Sequence, residues 1–239
     1  MKNNFIFNKS NKIQFISTVE GLESVEECLP RPAKHFTPQW FKNIPNKRKG
    51  TVKDCPSFPD YFSQGYIVPM WTDFQMNFIN EFPRFEVAAK RFVFDFHGKN
   101  QMLDYQKANF NGVDGQFIFK AECPWRIVTP PGWSVLQLPL FYHFNQEWSV
   151  LPGVIDTDIH SEINQQILYH GDGKEVTINC GDPLALYIPF KRSDKLKHEV
   201  RYQTAEERKR FDKDTLTLKQ KFIPNGVYRK KQRKRDKKD

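Results

Sequence analysis

Apolar and polar residues alternate along most of the chain. In "DFQMNFI", Phe74, Met76 and Phe78 fall on one strand face and Asp73, Gln75 and Asn77 on the other, because side chains alternate across a β-strand. The same period-two pattern, or a short apolar run, recurs in "GYIVPMW", "RFEVAAKRFVFDFH" and over 116–121, 125–129, 133–139, 148–156, 163–169, 174–179 and 184–190. Turn sequences ("NGVDG", "TPPG", "LPG", "HGDGK", "CGDP") separate these segments. "HGDGK" reads as a hairpin loop between its flanking strands, and "NCGDPLALYIPF" as a strand, a Gly-Asp turn and a second strand like the hairpin of cupins. "NFIFN" and "KIQFIS" predict a further strand pair over 4–17. In "GWSVLQLPL" both faces are largely apolar, which predicts a central strand. Short strands at this spacing give a mainly β (α+β) class, an antiparallel β-sandwich of jelly-roll or cupin-like form.

Helical signals are few. Thr37 as N-cap, Pro38 after it and Pro45 downstream bracket a short helix over 37–43, and "SFPDYFSQG" predicts another over 57–64. The strand pattern stops near residue 203. Thr204 followed three places later by Glu207 forms a capping box that opens a charge-rich helix to about 221. The expected organisation is one sandwich domain over 1–203, a C-terminal helix packed on it over 204–222, and a disordered basic tail over 223–239.

Composition sharpens this picture in two ways. Apolar residues make up only 38% of the 239 residues, yet aromatics reach 15% with 22 Phe, so the core is built from large rings. The net charge is +9, and the last eleven residues, "RKKQRKRDKKD", carry +6 of it. The charge therefore speaks for the tail and not for the body. The four cysteines (Cys28, Cys55, Cys123, Cys180) show no metal-binding spacing, and the N-terminus lacks a signal peptide's apolar stretch. Reduced thiols, no membrane span and no export through a signal peptide are expected.

Candidate chemistry is sparse. "VIDTDIH" read as a strand places Asp156, Asp158 and His160 on one face, and a carboxylate and an imidazole two residues apart can share a metal. His143 or His170 would supply a third ligand to iron or another divalent metal. No G-x-S-x-G, P-loop, dinucleotide-binding or H-E-x-x-H motif is present, so no catalytic or organic-cofactor residue is assigned. Arg229, Lys230, Lys231, Arg233, Lys234, Arg235, Lys237 and Lys238 form a polyanion-binding candidate, able to contact nucleic acid without sequence preference.

The blocks "RPAKHFTPQWFKNIP", "VKDCPSFPDYFSQGYIVPMWTDFQM", "WRIVTPPGWSVLQLPLF", "LPGVIDTDIH" and "GDPLALYIPFKR", from about residue 30 to 192, resemble an uncharacterised β-rich family associated with tailed phages of marine bacteria. The resemblance implies a viral setting, in the cytoplasm of an infected cell or in the virion, and a single β-rich unit; it assigns no activity. With no catalytic set in view, the first expectation is a non-enzymatic phage accessory protein that binds a virion component or a host protein. Two alternatives stand beside it: a cupin-like metal-dependent enzyme using Asp158 and His160, and a nucleic-acid-associated protein held by its tail.

Overall fold

The computed structural model describes residues 11–45, 50–79, 82–89, 91–96, 109–110, 113–114, 117–145, 147–169 and 175–219. In chain order the strands are β1 (Gln14–Ser17), β2 (Arg31–Pro32), β3 (Tyr66–Pro69), β4 (Phe74–Ile79), β5 (Phe82–Val87), β6 (Phe94–Phe96), β7 (Asn109–Phe110) and β8 (Val113–Asp114). They continue as β9 (Phe117–Glu122), β10 (Trp125–Val128), β11 (Trp133–Leu138), β12 (Trp148–Val150), β13 (Gly153–Ile155), β14 (Asn164–Tyr169), β15 (Val176–Ile178) and β16 (Pro183–Lys191). The helices are α1 (Gln39–Asn43), α2 (Ser57–Tyr61) and α3 (Ala205–Lys219). The chain divides into two compact units: Met1–Phe36 with Gly65–Asp194, and Thr37–Gln64 with Lys195–Asp239.

The first unit is an antiparallel β-sandwich, the mainly β class that the alternation predicts. A five-stranded sheet runs β13-β11-β16-β3-β2, a four-stranded sheet β12-β14-β9-β6 and a three-stranded sheet β15-β4-β5, with every pair antiparallel. β11 lies between β13 and β16, which bears out its reading as a central strand. Within β16, Leu184, Ala185, Leu186 and Tyr187 are all buried, as expected of a strand covered on both faces. Aromatic stacking ties the smaller sheet to the four-stranded one. Phe74 lies 4.8 Å from Phe94 and 5.0 Å from Phe119, ring centre to ring centre, offset pairs that add to the area they bury.

A polar link crosses the interior of the sandwich. Gln165 of β14 donates to the Tyr187 hydroxyl of β16 at 3.1 Å, and that hydroxyl donates to Gln137 Oε1 of β11 at 2.7 Å. Gln137 Nε2 in turn donates to the Leu151 carbonyl at 2.9 Å. Burial pushes the Tyr187 phenol well above its ordinary pKa, so it stays a donor. Gly65 makes a close backbone approach, with φ at +66° and a Cβ position that would collide with the Tyr187 carbonyl.

The strand pairing corrects three expectations. β14 and β15 belong to different sheets, so "HGDGK" is not a hairpin loop; residues 170–174 themselves lie outside the described residues. β15 and β16 also lie in different sheets, and the Gly181–Asp182 turn carries the chain between them. The run 148–156 is two strands, because "LPG" moves the chain from the four-stranded to the five-stranded sheet. In each case a turn sequence correctly marks a reversal but cannot say which sheet the next strand joins. Of the strand pair expected over 4–17, residues 1–10 lie outside the described residues, and β1 pairs with β10.

In the second unit α1 begins one residue later than Thr37 predicts, on the Pro38 carbonyl, which accepts from Phe41 and Lys42 N–H. Phe41 packs edge-on to Phe62 at 4.9 Å, and Lys53 Nζ stands over its ring at 5.7 Å. The capping box forms as the sequence predicts. Glu207 N–H donates to Thr204 Oγ1 at 3.2 Å and Thr204 N–H donates to Glu207 Oε2 at 2.8 Å. No helix among the described residues is long and apolar enough to cross a membrane.

Candidate functional site

The "VIDTDIH" segment does not continue as a strand. β13 ends at Ile155, and the N–H groups of Ile159 and His160 both donate to the Asp156 carbonyl at 2.9 Å. That turn breaks the period-two geometry, so Asp156, Asp158 and His160 do not line one strand face.

Asp158 faces Arg192 instead, in a two-bond fork of 2.8 Å (Nη1 to Oδ1) and 2.6 Å (Nη2 to Oδ2). Gly132 N–H adds a third bond to Asp158 Oδ2 at 2.7 Å, and Arg192 and this peptide together hold the Asp158 carboxyl below the usual carboxylate range. Arg192 Nη1 also donates to the Trp133 carbonyl and to Ser134 Oγ, while Ser134 donates to Asp156 Oδ1 at 2.6 Å. The arrangement locks the "TPPGWS" turn to the end of β16.

The other metal candidates are scattered. His160 is exposed in its turn, and His143 is half-buried in the loop after β11, where burial lowers its pKa and keeps it neutral. His170 and the tail residues Arg229 to Lys238 lie outside the described residues. Among the described residues no group of three or more His, Cys, Asp or Glu side chains converges on a point. A divalent cation therefore has no ligand set there that the structure supports.

A cleft of about 100 Å³ opens where the ends of β1, β9 and β10 meet the segments before β6 and β14. Its wall carries Thr18, Arg91, Glu122, Arg126, Glu162 and Asn164, and Phe92, Val93, Cys123 and Ile163 complete the lining. Backbone bonds fix these segments to one another: Glu122 N–H to the Val93 carbonyl and Cys123 N–H to the Ile163 carbonyl, each 3.0 Å, and Thr18 N–H to the Pro124 carbonyl at 2.8 Å.

The charges in the cleft are unequally matched. Arg126 pairs with Glu162 at 3.1 Å and holds its carboxyl below the usual range; Lys120 pairs with Glu122 at 3.2 Å. Arg91 lies over the Phe92 ring at 5.2 Å and has no carboxylate partner among the described residues. Two guanidinium groups thus line the cleft, and among the described residues that of Arg91 has no carboxylate partner. Cys123 is buried at the floor, and burial pushes its thiol up to about 12. It is protonated at neutral pH and is no nucleophile.

No family model and no curated protein matches the chain. Solved structures do. A dUTPase from phage phi11 of S. aureus, described with a structural Mg(II) ion, is 11% identical, with 81% of this chain and 100% of that chain covered at a TM-score of 0.38. The EIAV dUTPase is 10% identical, covered 81% and 99%, with a TM-score of 0.35. The dUTPase of Staphylococcus bacteriophage 80alpha is 9% identical, covered 82% and 100%, with a TM-score of 0.38. These neighbours are enzymes by name, against the expectation of a non-enzymatic accessory protein, which is not carried further. At this level of likeness none of their ligands or residues transfers to the chain.

Sequence reading missed both Arg192 and the cleft. Arg192 sits in "IPFKR" with no local sign that its partner lies 34 residues away. Arg91, Arg126, Glu162 and Asn164 come from three separate segments and share no motif. The alternation along each strand was the one available signal, and it places polar residues at strand ends without bringing them together.

Proposed function

We propose that the cleft holds a small anionic molecule of the phosphate or carboxylate class. The observation that carries this reading is Arg91, a guanidinium with no carboxylate partner among the described residues, in the same lining as the Arg126–Glu162 pair. A guanidinium presents a planar fork of donors that fits the oxygens of either anion. Thr18 and Asn164 add a hydroxyl and an amide at the same opening. Small-molecule sites are concave and fix their ligand through a few convergent polar groups. Cys123, protonated and buried, supplies shape to the floor. The work assigned to the cleft is recognition and orientation of the ligand.

The test is titration of the full chain with inorganic phosphate and with a nucleoside 5′-monophosphate, followed by amide shifts in NMR spectra. Shifts at Glu122, Cys123 and Ile163 that saturate, and that Arg91→Ala weakens about tenfold or more, support the site, since a charge-assisted pair contributes roughly 1.5–3 kcal/mol. Unchanged spectra at millimolar phosphate and nucleotide would remove it.

A further inference from the structure

Two thiols far from each other in the chain meet, and neither lines the cleft. Cys28 ends the 3-10 turn Glu26–Cys28, and Cys180 lies in the turn between β15 and β16. Their Sγ atoms are 2.9 Å apart across 152 residues of sequence.

The surrounding backbone holds both in place. Gly181 N–H donates to the Met70 carbonyl at 2.8 Å, Met70 N–H to the Asp182 carbonyl at 2.7 Å, and Cys180 N–H to Asp73 Oδ1 at 2.8 Å. Cys28 Sγ in turn lies 3.7 Å from the Trp71 carbonyl. Both cysteines are therefore positioned by the one segment that joins β3 to β4. Contact between their turns is close: a Cβ on Gly181, where φ is +88°, would stand 3.1 Å from Glu27 Cβ. A disulfide has a sulfur–sulfur length of about 2.05 Å, so roughly 0.9 Å of closure completes the bond.

The two thiols differ in access. Cys28 is 1% exposed, whereas Cys180 is half-buried and the more accessible of the two. Burial first, and then Cys180, Glu27 and Asp73, push the Cys28 thiol up to about 12, which keeps it protonated and unreactive by itself.

We propose that Cys28 and Cys180 form a hydroperoxide-sensitive dithiol that closes reversibly to a disulfide. Cys180 reacts first: its sulfur takes the distal oxygen of the hydroperoxide, the O–O bond breaks, and the remainder leaves as the alcohol or, from hydrogen peroxide, as water. The Cys28 sulfur then bonds to Cys180 Sγ, the S–O bond breaks, and hydroxide leaves with the Cys28 proton as water. Two thiols have lost two electrons and the hydroperoxide has gained them. A dithiol reductant reverses the change by exchange. The bond ties the N-terminal segment before β2 to the β15–β16 turn and so closes most of the sandwich into one loop.

The full chain is treated with stoichiometric hydrogen peroxide, its remaining thiols are alkylated after unfolding, and it is mapped by mass spectrometry. Two of the four thiols become protected, a Cys28–Cys180 peptide appears, and dithiothreitol removes it. Oxidised protein also melts several degrees higher than reduced protein. Cys180→Ser, at the half-buried position, abolishes the cross-link, and Cys55→Ser leaves it in place. Four free thiols after peroxide, Cys180 recovered as a sulfinic acid with Cys28 free, or a cross-link through Cys55 or Cys123 would each overturn the proposal.

Discussion

Arg192 grips Asp158 through two bonds, Nη1 to Oδ1 at 2.8 Å and Nη2 to Oδ2 at 2.6 Å. The Asp158 side chain is 8% exposed. A carboxylate buried to that degree needs its cation, and here the cation also binds the Trp133 carbonyl and Ser134. The pair is a structural clasp between the "TPPGWS" turn and the end of β16.

Its pH dependence follows from the direction of the Asp158 shift. Because the folded-state pKa lies below that of the unfolded chain, the clasp contributes fully at neutral pH. The contribution begins to fade as pH falls past the ordinary Asp value of about 3.9 and is gone below the depressed one. Asp158→Asn should therefore melt several degrees below the parent protein at pH 7, with the gap narrowing as acid is added. A gap that stays constant down to pH 2 would count against the clasp.

The buried link between the sheets gives a contrast of two variants. Tyr187→Phe strips a partner from both Gln137 Oε1 and Gln165 Nε2 inside the core. Leaving buried polar groups unpaired costs roughly 1–3 kcal/mol each. Gln165→Leu removes a side chain whose Oε1 has no hydrogen-bond partner among the described residues, and it leaves the bond from Tyr187 to Gln137 intact. Urea denaturation should show Tyr187→Phe as the more damaging change. The reverse order would mean that the hydroxyl contributes little.

At α3 the expected effect is local. Thr204→Ala removes the hydroxyl that accepts the Glu207 N–H, a loss of about 1 kcal/mol from the first turn of a helix, and amide exchange at Glu207 should speed up accordingly. Arg201 first, and then the Thr204 N–H, hold the Glu207 carboxyl at about 2 against an ordinary 4.5. The Thr204 N–H thus keeps its acceptor through mild acid, and the Thr204 amide should lose protection only as pH falls below about 4.5 toward 2. Protection that is lost already at pH 6 would show that the Glu207 carboxylate does not hold the Thr204 amide.

Local physics explains why some features were legible in the residues alone. Alternation at Phe74 and Met76 reports a strand because the pleat leaves no other way to bury one face, and both side chains are buried. The Thr204–Glu207 box spans three residues and needs no help from the rest of the chain. β11 reads as central because apolar residues on both faces demand cover on both. Partner choice obeys no such local rule. "HGDGK" and "CGDP" mark reversals equally well whether the next strand pairs beside the last or joins another sheet. Asp158 looked like a metal ligand because an acidic residue near a histidine has the same sequence whether its partner is a cation or an arginine 34 residues away. Cys28 and Cys180, 152 residues apart, likewise meet through the Met70–Asp73 segment between them. Strand alternation and helix caps are set by forces that act within a few residues of chain. The clasp, the cleft and the dithiol depend on which sheets come together, and burial of the aromatic core, summed over the whole unit, selects that arrangement.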